Sequence, residues 1–205
     1  ASGVPGTVRG LELAHKNYGH KPWKQLVAPA IRLAAKGFPV SYALARSLQG
    51  EGGGKRLASY PDSKRIFLKN GSFFEAGDTI RQPELARTLR RIARSGARDF
   101  YEGETARILA SEMEKNGGLI TVQDLKEYRA VERKPLEGRY KGYTIIAAPP
   151  PSSGGVGMIQ MLGMLEGSGY EKPGYGSAAS IHYTVEAMRR YYADRNEFLA
   201  DPGFY

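Results

Sequence analysis

No cysteine occurs in this 205-residue sequence, so disulfides, thiolate metal sites and a cysteine nucleophile are all excluded. The absence leaves the compartment open. No apolar run approaches the roughly 20 residues that a bilayer-spanning helix needs. The longest, 143–151, ends in three prolines, so no membrane span is expected. Histidine is scarce. His15, His20 and His182 form no H-E-x-x-H and no other zinc-spaced pair, and neither a metal nor a cofactor is expected. An initiator methionine is missing, and the opening 1–6 has neither the basic start nor the apolar core of a signal peptide. The expectation is a processed chain or a piece of a longer protein. Acids are outnumbered, 21 against 30 Lys and Arg, for a net charge of +9. Such a balance fits either an anionic partner such as nucleic acid or an acidic segment outside this chain. The basic residues are spread among acids, which favours the second.

Most of what is present reads as helix. Pro5 suits a first helical position, with Val8, Leu11, Leu13 and Tyr18 following before Gly19. A second helix starts near Pro22, with Leu26, Ala30, Leu33 and Ala34 at helical spacing and a kink or break expected at Pro29. Ser41 caps a third through Leu48, and the stretch from Lys55 to Gly77 reads as irregular. Pro83 opens a helix with Leu85, Leu89 and Ile92 inward, closing near Gly96. The next runs from about Thr105 to Lys115 with Ile108, Leu109 and Met113 inward and Asn116-Gly117-Gly118 as its stop. Thr121 and Asp124 have capping-box spacing. The helical part thus covers about 1–126.

From about 127 to 205 the pattern changes to strands with flanking helices. Three short strands are expected within 128–148, over 128–133, 136–140 and 143–148, turning at Lys134-Pro135 and Lys141-Gly142. Pro149 to Pro151 stop the last strand, since proline lacks the ladder N–H. Ser152 or Ser153 caps a helix with Ile159, Leu162 and Leu165, and Ser177 begins the longest helix, with Ile181, Val185, Met188 and Tyr192 on its apolar face. A small β patch buries one face easily, so this order fits part of a larger layered fold.

Several segments invite chemistry. The stretch Gly50 to Lys55 fails the phosphate-loop pattern, because Gln49 stands at the first glycine and Arg56 follows the lysine. It reads as a flexible loop. His182 reads as a packed or capping histidine. Arg87, Arg90, Arg91, Arg94 and Arg98 would share one face if their helix continues that far, either as an anion-binding stripe or as a solvated face. Residues 149–155, Pro-Pro-Pro-Ser-Ser-Gly-Gly, link a strand to a helix. Ser152, Ser153, Gly154 and Gly155 there could present unpaired helix N–H groups to an anion or could simply form a rigid capped turn. The acid and base in Tyr192-Ala193-Asp194-Arg195 read as partners holding a helix end.

Three ordered stretches resemble the γ-glutamyltranspeptidase family across essentially the whole chain: Gly3 to Val8 with Gly10-Leu11; Lys115 to Thr121 with Asp124, Leu125, Tyr128, 131–133, Pro135 and Gly138; and Pro149 to Gly155 with 192–195, Asp201, Pro202 and Phe204. The resemblance implies a helix-rich α/β chain, a single fragment of the large subunit of an N-terminal-nucleophile hydrolase with an αββα layered fold. It further implies autocatalytic cleavage of a precursor and a threonine nucleophile on a small subunit. That threonine would take the γ-glutamyl group of glutathione or a related amide and pass it to water, an amino acid or a dipeptide. Relatives specialised for poly-γ-glutamate or β-lactam side chains differ in pocket residues outside this chain. A periplasmic or secreted location follows from the resemblance alone. Thr7, Thr79, Thr88, Thr105, Thr121, Thr144 and Thr184 are internal and match no cleavage motif, so no catalytic residue is expected here. The four residues 152–155 are the candidates for approaching the substrate cleft. The rival expectation is a stand-alone basic module that binds nucleic acid or an anionic polymer through Arg87 to Arg98.

Overall fold

The computed structural model describes residues 3–50 and 54–204. These fall into two compact units, Ala1–Val131 and Glu132–Tyr205.

The first unit begins with α1 (Thr7–Tyr18) and α2 (Trp23–Lys36). Helix α1 starts two residues after Pro5, whose carbonyl is taken by the Tyr101 hydroxyl at 2.6 Å. Helix α2 runs unbroken through Pro29, correcting the expected break. Pro29 is exposed, so water can meet the carbonyl it leaves unbonded. Then follow β1 (Phe38–Pro39) and α3 (Tyr42–Gln49), the latter capped as expected by Ser41 Oγ, which accepts the Leu44 N–H at 3.1 Å. Glu51 to Gly53, the centre of the expected flexible loop, lie outside the described residues. The stretch read as irregular instead forms α4 (Gly54–Ser59), α5 (Pro61–Phe67) and the hairpin β2 (Leu68–Lys69) and β3 (Ser72–Phe73). Its turn is Asn70-Gly71, both at positive φ, the favoured two-residue hairpin pair. Strand β4 (Thr79–Ile80) pairs antiparallel with β1. Val40, Ala45, Leu48, Phe74 and Ile80 form the core here.

The unit continues with α6 (Pro83–Ser95), α7 (Ala97–Glu102), α8 (Glu104–Lys115) and α9 (Val122–Glu127). Helix α2 packs on α6, where Trp23 Nε1–H donates to the Ile92 carbonyl at 3.0 Å. Of the face expected inward, Ile92 is buried while Leu85 is exposed; on α8, Ile108 is likewise exposed. A second core gathers Ala97, Tyr101, Ala106, Ile120 and Leu125. Tyr101 is fully buried, and burial pushes its phenol above its ordinary pKa. Its hydroxyl donates to Pro5 and accepts the Arg9 N–H at 3.1 Å, so both polar roles are filled. The Arg9 guanidinium lies 4.4 Å over its ring, and Tyr128 stacks on it at 5.8 Å. The capping box on α9 is present in both directions, as expected.

The second unit corrects the β patch. It has two strands, β5 (Leu136–Tyr140) and β6 (Tyr143–Ala147), paired antiparallel with Gly138 opposite Ile145 and turned at Lys141-Gly142. Residues 128–133 form no strand, because the Tyr128 N–H still closes α9 on Asp124 and Leu125, and Arg133 turns to Asp201 at 3.1 Å. The inner hairpin face packs on α10 (Ser153–Leu165), and α10 packs on α11 (Ala178–Phe198). Ser177 caps α11 as expected. Its predicted apolar face is turned outward. Ala187 and Tyr191 are the buried residues of α11, whereas Ile181, Val185, Met188 and Tyr192 are exposed.

Candidate functional site

The turn from β6 into α10 carries the four candidates. Ala147 ends the strand, and the Ser152 N–H closes a turn on the Pro149 carbonyl at 3.1 Å, across the cis Pro150–Pro151 peptide. Ser152 takes the N-cap position in an extended conformation, but its hydroxyl makes no capping bond. Both Ser152 and Gly154 are exposed. A Cβ added to Gly154 would meet nothing within 4 Å.

The other two candidates face inward. The Ser153 carbonyl accepts the Tyr191 hydroxyl at 2.8 Å, which ties the first turn of α10 to α11. Gly155 is buried, and a Cβ there would lie 2.3 Å from the Ala148 carbonyl oxygen and 2.8 Å from the Ala147 Cβ. Gly157 repeats the theme one helix face away, with the Tyr191 ring 2.5 Å from an added Cβ. Gly155 and Gly157 are therefore glycine because neighbouring backbone and ring occupy the space of a side chain. The turn thus offers the solvent one free hydroxyl, one bare glycine and the first N–H groups of α10. That set can orient an anionic or carbonyl oxygen.

The motifs around it are spent on packing. Asp194 Oδ2 accepts from Gln160 Nε2 at 2.5 Å, linking α11 to α10, while Arg195 Nη1 bonds its neighbour Asn196 at 3.3 Å. Asp194 and Arg195 are thus not partners of one another, as the sequence had suggested. Asp201 accepts from Arg133 and from the Gly203 N–H at 2.9 Å, fixing the turn 201–204. At the hairpin tip, Lys141 donates to Glu171 at 2.8 Å and through its backbone to Glu166 at 2.6 Å. The hydrogen bond from Lys141 holds the Glu171 carboxyl below its ordinary pKa. The Tyr140–Tyr170 hydroxyl pair, 2.9 Å apart, raises the Tyr170 phenol.

The arginine stripe does not form. Helix α6 ends at Ser95, and Gly96, at φ 63°, turns the chain so that Arg98 belongs to α7. Arg91 faces inward, donating to Asp99 at 3.3 Å, to Thr105 at 3.2 Å and to Glu104 at 3.3 Å. Asp99 also accepts a short hydrogen bond from the Thr105 hydroxyl. Arg87 pairs with Glu84 at 3.8 Å. His15 Nε2 contacts the Lys21 carbonyl at 2.7 Å, and its ring meets Trp23 edge-on. His182 is exposed on α11 rather than packed or capping. No group of three or more His, Cys, Asp or Glu among the described residues could hold a metal ion. Sequence reasoning missed the Arg91–Asp99–Thr105 cluster. Gly96 and Gly103, each followed by an acidic first turn, were the signal for separate helices there.

A family model described as Gamma-glutamyltranspeptidase matches residues 1–205. The chain is 47% identical over 204 residues to the glutathione hydrolase proenzyme of Escherichia coli (strain K12), with all of this chain and 35% of that protein covered. It is 45% identical over 206 residues to the glutathione hydrolase proenzyme of Pseudomonas sp. (strain A14), with the same coverage of each. The structure superposes on the crystal structure of Helicobacter pylori gamma-glutamyltranspeptidase with a TM-score of 0.94 at 42% identity, covering all of this chain and 58% of that one. The chain thus spans about a third of the length of these curated relatives.

Proposed function

Because the chain belongs to the γ-glutamyltranspeptidase family, we propose that it is the scaffold part of the large subunit of a γ-glutamyltransferase or glutathione hydrolase. The observation that carries this reading is a family match running from residue 1 to residue 205. The nucleophile lies in a small subunit outside this chain, released when a precursor cuts itself. Its threonine hydroxyl attacks the γ-carbonyl of a glutathione-like amide, with its own amino group taking the proton. The C–N bond breaks, the amine leaves with a proton, and a γ-glutamyl ester remains. Water then releases glutamate, or the amine of an amino acid or peptide forms a new γ-glutamyl amide. Either route restores the threonine. Backbone N–H groups stabilise the oxyanion of each tetrahedral intermediate.

The chain's share of that work is to hold the layers in place and to bring one turn toward the substrate. Ser152 and Gly154 face the cleft in this reading, while Ser153 and Gly155 lock the turn to α11 and β6. We place the enzyme in the periplasm or outside the cell. No helix of the described residues is long and apolar enough to cross a membrane. The nucleic-acid reading loses its footing with the stripe, since Arg91 is spent on Asp99, Glu104 and Thr105.

The test uses the full-length protein and a γ-glutamyl anilide. The self-cleaved protein is expected to release the aniline, and the 205-residue chain alone is expected to release none. Self-cleavage without turnover overturns the reading. Ser152→Ala is expected to raise KM about fivefold, the worth of one hydrogen bond of about 1 kcal/mol, with no change in urea midpoint. An unchanged KM removes the turn from the cleft.

A further inference from the structure

Helix α11 carries two apolar faces and uses one. Ala187 and Tyr191 are buried on the side that meets α10. On the opposite side Ile181, Val185, Met188 and Tyr192 stand at i, i+4, i+7 and i+11, exposed to 53%, 44%, 39% and 49%. A helix that is apolar on both sides belongs between two layers, and four large side chains in one stripe exceed the single apolar residues that scatter over an ordinary surface.

Size decides what covers the stripe. From Ile181 to Tyr192 it is about 16 Å long at 1.5 Å per residue, and a helix is about 10 Å wide, giving about 160 Å². A specific dimer buries about 800 Å² on each partner, so a second copy seated on this stripe falls well short. A segment of the same protein bears no such requirement, because it does not lose the translational freedom that an associating molecule loses. Such a segment is available, since the chain spans 35% of the length of its relatives. Charge narrows its chemistry. Arg189 and Arg195 flank the stripe, and the whole chain carries +9. We infer that the outer face of α11 is the seat of a further segment of the same polypeptide, apolar at its centre and acidic at its rim. Under the proposed function, on which this part of the inference rests, that segment belongs to the small subunit that carries the threonine.

Hydroxyl-radical footprinting of the unmodified full-length protein tests this, because methionine and tyrosine report on themselves. Met188 and Tyr192 are expected to be modified at least about tenfold more slowly in native protein than in urea. A photo-cross-linking residue replacing Val185 is expected to join a peptide of the same molecule from outside residues 1–205. Modification of Met188 at the unfolded rate overturns the inference. So does protection that fades on dilution together with a dimeric mass, which assigns the stripe to a second copy. If Val185 cannot be replaced without loss of folding, the footprint alone decides. Anilide turnover on the same preparation separates the two readings. An active protein with a freely modified Met188 overturns this inference alone, and an inactive one with a protected Met188 overturns the functional reading alone.

Discussion

In the unit 1–131, α7, α8 and α9 gather around one tyrosine with all its polar capacity filled, whereas in the unit 132–205 the helix contacts close over glycine. Tyr101 brings ring area and satisfies the Pro5 carbonyl and the Arg9 N–H in one step. Leu125, Ala97 and Ala106 complete a core with no exposure. Around α10, by contrast, Gly138, Gly155 and Gly157 let Ile159, the Ala148 carbonyl and Tyr191 approach to distances no side chain allows. A core filled with side chains draws its stability from buried apolar area. A contact closed on glycine gains proximity but little area, and here it leaves the outer face of α11 uncovered. The first arrangement can stand on its own packing, and the second is suited to a layer inside something larger.

Three measurements on full-length protein sharpen or break this contrast. The largest effect is expected at Tyr101. Tyr101→Ala should cost about 3–5 kcal/mol through a core cavity, read from the urea midpoint, with hydrogen-exchange protection lost first in α7 to α9. Tyr101→Phe should cost about 1–3 kcal/mol by stranding the Pro5 carbonyl and the Arg9 N–H. A neutral Tyr101→Ala would show that this unit is not organised around the tyrosine.

An intermediate effect is expected at the turn. Gly155→Ala should cost about 1–3 kcal/mol, since the added methyl presses on backbone that cannot rotate away. Gly154→Ala, one residue earlier and open to solvent, should stay within about 0.5 kcal/mol. Equal effects at both positions would remove the distinction between the locking and the open half of the turn.

The smallest effect is electrostatic. The Thr121 hydroxyl and N–H hold the Asp124 carboxyl below its usual range in the first unit, and Lys141 does the same for Glu171 in the second. Both carboxyls are depressed on folding. Their contribution is therefore complete above the ordinary carboxylate pKa of about 4 and is lost as pH falls through the lower folded values. Exchange protection in α9 and in the loop 167–177 should decline together below that pH. Salt should loosen the loop at neutral pH and leave α9 unchanged, because a long ion pair is screened and a local cap is not. Loosening of α9 by salt would count against the capping-box account.

Local structure was the legible part. The caps at Ser41, Thr121 and Ser177 and the turn at Lys141-Gly142 depend on residues within four positions of one another, and each appears where its spacing placed it. The Asn70-Gly71 hairpin was equally local, and its dipeptide signal was passed over. Among the four candidates, sequence could place 152–155 at a helix start, but not divide them. Tyr191, 38 residues away, decides that Ser153 faces inward. The arginine stripe failed for a related reason, because a break at Gly96 and a carboxylate on the next helix redirected Arg91.

The sequence by itself determined the family, the absence of cysteine chemistry and the order of capped helices, because these rest on residue identity and short spacing. Tertiary structure alone decided which face of α11 is buried. Periodicity identifies an apolar face, and it is silent on which of two such faces finds a partner within these residues. The steric allowance at Gly157 settles that, because only there can the Tyr191 ring approach the α10 backbone closely enough to set the helix rotation.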